Sequence, residues 1–64
     1  MKHMADMAYY TKAHKYYPVE CGVITFNSNA KTELGLMRAA DRAVCEYVAS
    51  RYPHATGYRV SNVR

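Results

Sequence analysis

Tyr10, Lys12, His14 and Tyr16 place ring and cation at every second position, the spacing at which a β-strand shows side chains on one face. Rings in such a row stack on nucleic-acid bases while the cations meet phosphates. Tyrosine and arginine are equally the enriched anchors of protein interfaces. The structural reading is that tyrosines suit strands, their rings covering the sheet and their hydroxyls reaching water. A second alternating run near the end of the chain adds Arg59 and Arg64. The candidate partner-binding residues are therefore Tyr10, Lys12, His14, Tyr16, Arg59 and Arg64.

Other chemistry finds little support in the residue spacing. His3, His14 and His54 form no closely spaced pair with each other or with Cys21 and Cys45, as a zinc knuckle or finger requires. No metal and no cofactor is expected. A nucleophilic Cys or Ser needs a base held in reach by a third group, and no carboxylate stands in a patterned relation to Cys21 or His14. The phosphate-binding loop, the dinucleotide glycine pattern and paired glycosidase carboxylates are all absent. The sequence therefore reads as a non-enzyme.

The chain has 64 residues, half of them apolar, with nine Lys and Arg against five Asp and Glu for a formal charge of +4. A domain of this size buries only about 60% of the surface its unfolded chain exposes, so one domain with a thin core is expected. The positive field favours acidic partners, and it also serves solubility. Two cysteines are too few for a disulfide framework. Met1–Tyr10 contains Lys2, His3 and Asp6 and lacks the apolar core of a secretory signal. No run approaches the ~20 apolar residues of a membrane span. A soluble protein of the cytoplasm with reduced thiols is the expectation.

Met1–Met7 has no clear pattern and reads as a flexible N-terminal arm, 1–7, followed by a single domain over 8–64. From Ala8 to Tyr17 the β-favouring residues predict a first strand, ended by Pro18, which cannot donate to a ladder. Pro18–Gly22 reads as a hairpin connection with Gly22 at positive φ. Val23–Phe26 is then the returning, antiparallel strand. Asn27, Ser28 and Asn29 offer caps to a helix running to Tyr52, and Thr32 with Glu33 repeats the offer a turn later. Within it Leu36, Met37, Ala40, Ala43, Val44, Tyr47 and Val48 fall on one arc, opposite Arg38, Arg42 and Glu46. Arg51 complements the helix dipole and Pro53 forbids continuation. Tyr58–Arg64 closes the chain as a last strand in which Val63 falls out of phase with Tyr58 and Val60, the sign of a bulge or of fraying.

The predicted class is α+β, a ββαβ unit whose three-stranded sheet has one helix packed on one face. A helical connection favours a parallel relation between the second and third strands, adjacent or separated by the first. Alternation sends Ile24 and Phe26 to the helix side and Val23, Thr25 and Asn27 to the open side. There they would join Tyr10, Lys12, His14, Tyr16 and Arg59.

The order hairpin, helix, closing strand resembles the small inhibitor of host RNA polymerase carried by podoviruses that infect enteric bacteria. In that family a Gly precedes a closing strand reading aromatic, x, Val, x, x, Val, Arg, which here is Tyr58, Arg59, Val60, Ser61, Asn62, Val63 and Arg64. The likeness in letters covers about eight residues; in architecture it runs from Tyr9 to Arg64. Arginines of that strand contact the polymerase in the family, and the matching positions here are Asn62 and Arg64. What the resemblance implies is a compact phage-type protein that blocks a host machine by surface contact.

Together these readings predict a small interaction protein, a phage-encoded inhibitor that occludes a host enzyme or defence complex in the host cytoplasm. The alternative is a basic nucleic-acid-binding protein using the same face. A thin core with an uncovered sheet face also invites a homodimer.

Overall fold

Residues 2–10 carry few strand-favouring types, yet they form the strand on which the sheet is built. The computed structural model describes Met1 to Arg64. Its elements in order are β1 (Lys2–Tyr10), β2 (Glu20–Asn27), α1 (Glu33–Arg51) and β3 (Gly57–Ser61). The sheet order is β2-β1-β3, and β1 is antiparallel to both neighbours. β2 and β3 therefore run parallel to each other with β1 between them. This is the expected ββαβ class, in the variant where the first strand separates the other two.

The N-terminal segment is the main correction. Met1–Met7, read as a flexible arm, supplies most of the central strand, and the chain start is tied to β2 by the Ser28 N–H donating to the Met1 carbonyl at 2.9 Å. Strand propensity lost to tertiary context here. Ala5, Met7 and Tyr9 alternate toward the helix, and all three are buried. Ala5 and Ala40 are both fully buried, and their small side chains let α1 lie close over β1.

The predicted first strand stops at Tyr10, so residues 11–19 form the connection to β2. The His14 N–H turns back to the Thr11 carbonyl at 3.1 Å, and the Val19 N–H returns the chain to the Tyr9 carbonyl at 2.9 Å. Gly22 lies inside β2 opposite Met7 and not in a turn, and no glycine has positive φ. A Cβ at Gly22 would meet the Met7 sulfur at 3.7 Å, an ordinary contact.

The helix begins later than the first capping signal. Thr32 is the N-cap, its Oγ1 accepting from the Gly35 N–H at 3.1 Å. Ser28 caps only a local turn, accepting from the Ala30 N–H at 3.1 Å. Arg51 occupies the last turn, and the Tyr52 N–H bonds the Val48 carbonyl at 2.7 Å. The core cluster is Met7, Tyr9, Ile24, Val44 and Val48, with Tyr47, Tyr58 and Val60 packed around it. Tyr9 stacks on Tyr52 with ring centroids 3.9 Å apart.

The phase break in β3 is a bulge. Asn62 has φ 50°, a left-handed conformation that asparagine tolerates better than most residues. One extra residue is inserted there, because Asp6 pairs with Ser61 while Met4 exchanges both backbone hydrogen bonds with Arg64, at 2.7 and 2.8 Å. Val63 is thereby returned to the helix side, beside Leu36 and Val60, and Arg64 to the open side.

Only eight of 64 residues are buried, so single core deletions should weigh heavily. Val44→Ala, at a fully buried position, is expected to cost about 2 kcal/mol, and Thr32→Ala about 1 kcal/mol through loss of the cap. Met37→Ala, at an exposed position, should cost less than about 0.5 kcal/mol. Urea denaturation midpoints check all three. Deleting residues 1–7 should abolish the cooperative transition altogether; a shortened chain that still unfolds cooperatively would rule out β1 as the central strand.

Candidate functional site on the open sheet face

Alternation along β1 puts Ala5, Met7 and Tyr9 under the helix and leaves Met4, Asp6, Ala8 and Tyr10 on the other face. The registers extend that face to Cys21, Val23 and Thr25 of β2 and to Arg59 and Ser61 of β3. No helix or strand covers it, since α1 is the only helix and it packs on the Tyr9 side. The predicted outward assignment of Val23, Thr25, Asn27 and Arg59 agrees with this register, as does the inward assignment of Ile24 and Phe26.

The six candidate residues separate into three settings. Tyr10 and Arg59 are brought together around a shallow depression of about 440 Å³ that Ala8, Val23 and Pro18 also line. Arg64 lies on the same face beyond the bulge, with its guanidinium engaged. Its Nη1 donates to Asp6 Oδ1 at 3.1 Å and to the Asn62 carbonyl at 2.8 Å, while Asn62 Nδ2 donates to Asp6 Oδ2 at 3.3 Å. Arg64 thus works first as a clasp between β3 and β1, through the chain's one ion pair. Both side chains are 40% exposed, a setting in which such pairs contribute about 0.2–1 kcal/mol.

Lys12, His14 and Tyr16 are not on the sheet at all. They lie in the 11–19 connection, all exposed, with Tyr16 at 89% and its neighbour Tyr17 at 79%. Their every-second-residue spacing has no structural meaning there, because the backbone bends repeatedly between Thr11 and Val19. Pro18, at the end of this segment, borders the depression, so the connection extends the open face and does not form part of its ladder.

Met4 is the residue the sequence reading missed. It is 38% exposed, and Val23, opposite Asp6 on the neighbouring strand, is 56% exposed. The alternation of Ala5, Met7 and Tyr9 with Met4 and the charged Asp6 was the available signal, masked by the low strand propensity of alanine and methionine.

The helix side carries polar clusters of a different kind. The Tyr58 hydroxyl donates to Asp41 Oδ1 at 3.0 Å; this bond, then burial and the Cys45 thiol, push the phenol up to about 12. Tyr52 donates to Glu20 Oε2 at 3.4 Å, and its pKa is raised, by burial first and by Glu20 second. Both bonds join the helix region to the sheet. Cys21 and Cys45 are free and exposed. No three His, Cys, Asp or Glu side chains stand close enough to hold a metal ion, and no helix is long and apolar enough to cross a membrane.

No protein-family model, curated protein or solved structure matches this chain.

A raised phenol pKa means that neutral Tyr58 stabilises the fold. That contribution is fully present below pH 10 and is lost as pH rises from there through about 12. Ultraviolet titration should show a phenolate of Tyr58 that appears only near pH 12. Asp41→Asn should bring it down toward the ordinary 10.0, because the neutral amide accepts the same bond without its charge. An unmoved late phenolate in that variant would exclude the Asp41 bond as the cause.

Proposed function

We propose that this chain is a small non-enzymatic interaction protein that binds a macromolecular partner through its open sheet face, enlarged by the 11–19 connection. The observation that carries the reading is the exposure of Val23 on a face that no other element covers, with Tyr10 and Arg59 lining the same depression and Met4 exposed further along β1. Exposed valine and methionine on one face with tyrosine and arginine have the make-up of a protein-binding patch. Asp6 at its middle disfavours a phosphate backbone there. The narrower proposal is an inhibitor of the phage type, which occludes a surface of a host enzyme or defence complex and needs no chemistry of its own.

One observation favours a second reading. Lys12, His14 and Lys15 flank Tyr16 and Tyr17 in the exposed connection, and this set suits single-stranded nucleic acid. The two readings differ in salt dependence, because neutralised phosphates release counterions whereas a desolvated protein interface responds weakly.

A tagged chain should be used to capture partners from bacterial lysate, with and without nuclease and at low and high salt. A stoichiometric protein complex that survives both treatments is expected. Val23→Asp and Arg59→Glu should each weaken its capture by about 30-fold, as central interface residues do, while Lys12→Ala with Lys15→Ala should have little effect. Recovery of mixed nucleic acid that is lost at high salt and in the double lysine variant would replace the protein-contact reading with the second one.

A further inference from the structure

The outer edge of β3 borders an open groove on the helix side of the sheet, away from the face described above. Leu36, Val60 and Val63 supply apolar surface, and Glu33, Met37 and Asp41 follow one another at four-residue spacing along the helix flank. The space between measures about 660 Å³. Met37 is 59% exposed although its helical position belongs to the apolar arc. No lysine or arginine lines the groove, in a chain whose formal charge is +4. Its local charge is thus opposite to that of the whole molecule.

The strand beside the groove has backbone groups to offer. β3 is an edge strand. The Met4–Arg64 exchange and the Thr56 N–H bonding the Tyr10 carbonyl at 2.8 Å show that the even-numbered residues of β1 face β3. With the register given above, Gly57, Arg59 and Ser61 bond inward. The N–H and C=O groups of Tyr58 and Val60 therefore point outward along the edge. A second copy is a poor occupant, because pairing two β3 edges antiparallel would bring the Glu33 and Asp41 flanks of both helices to one seam.

We propose that this edge and groove take up an extended basic segment of a partner protein as a fourth strand. Backbone hydrogen bonds to Tyr58 and Val60 would hold it, and alternate side chains would provide selectivity, as in other cases of strand addition. Aliphatic side chains of the segment rest against Met37, Val60 and Val63. Its lysine or arginine side chains reach Glu33 and the Asp41 oxygen left free by Tyr58, which uses only Oδ1. The surface is independent of the open-face reading, so either can fail without the other.

The test is an amide-resolved NMR titration of the full chain with a short capped peptide that alternates lysine and valine on one face and carries threonine on the other. Expected are shifts confined to Gly57–Val63 and Glu33–Asp41, with new exchange protection at the Tyr58 and Val60 amides. Replacing the peptide lysines by glutamate should abolish binding. Glu33→Gln combined with Asp41→Asn, which keeps an acceptor for Tyr58, should weaken it about tenfold, with unchanged Val44 and Val48 signals showing that the fold is intact. Shifts centred on Val23 and Tyr10, equal binding by the glutamate peptide or by the double variant, or no shift at about 1 mM peptide would each overturn the proposal.

Discussion

Everything in this fold depends on β1 being hydrogen-bonded on both of its edges. A strand in the middle of a three-stranded sheet completes the backbone pairing of two neighbours at once, and removing it leaves two strands that do not touch. The same segment delivers Met7 and Tyr9 to a core of only five residues. A core that small has no redundancy, since burial is limited by the size of the chain. The low strand propensity of Met1–Ala8 is outweighed because alanine and methionine are what the space beneath α1 accepts. Ala5 and Ala40 leave room for the helix, and Met7 fills the gap with an adaptable side chain.

The bulge at Asn62 is the second constraint, and it decides what both faces carry. Without the inserted residue, Val63 would turn to the open side and Arg64 to the helix side. With it, Val63 completes the apolar flank near Leu36 and Arg64 reaches Asp6. Asp6 then holds both Asn62 and Arg64, so a single carboxylate on β1 fixes the geometry of the chain end. Met1 is bonded to Ser28 and Arg64 to Met4, and both ends of the chain are thereby sewn into the sheet.

One helix cannot cover two sheet faces, and the molecule is left with two unlike surfaces. The open face mixes exposed apolar residues with Tyr10 and Arg59, and the nearby connection concentrates lysine and tyrosine. The flank between α1 and β3 is apolar with acidic residues. Asp41 serves both the fold, through Tyr58, and the charge of that flank. This separation of charge is invisible in the formal total of +4, because the total says nothing about which residues share a face.

Legible in the residues alone were the α1 arc except Met37, which is exposed, the helix stop before Pro53, the class of the fold, and the facing of Ile24, Phe26, Val23 and Arg59. These depend on periodicities of 3.6 and 2 that operate within one element. The sequence also showed the break in phase between Val60 and Val63, which is local as well. The tertiary structure decided which segment became the central strand, because strand pairing joins residues far apart in sequence and rewards fit to a shared core over intrinsic preference. On that ground the strand expected over Ala8–Tyr17 kept only Ala8–Tyr10, and Lys2–Met7 took the place of Thr11–Tyr17. Lys12, His14 and Tyr16 consequently left the sheet face for a connection, and the candidate site lost three of its six predicted residues while gaining Met4. Arg64 was legible as a cation on the last strand, but its attachment to Asp6 was not, since that contact spans nearly the whole chain and exists only once the bulge has set the register.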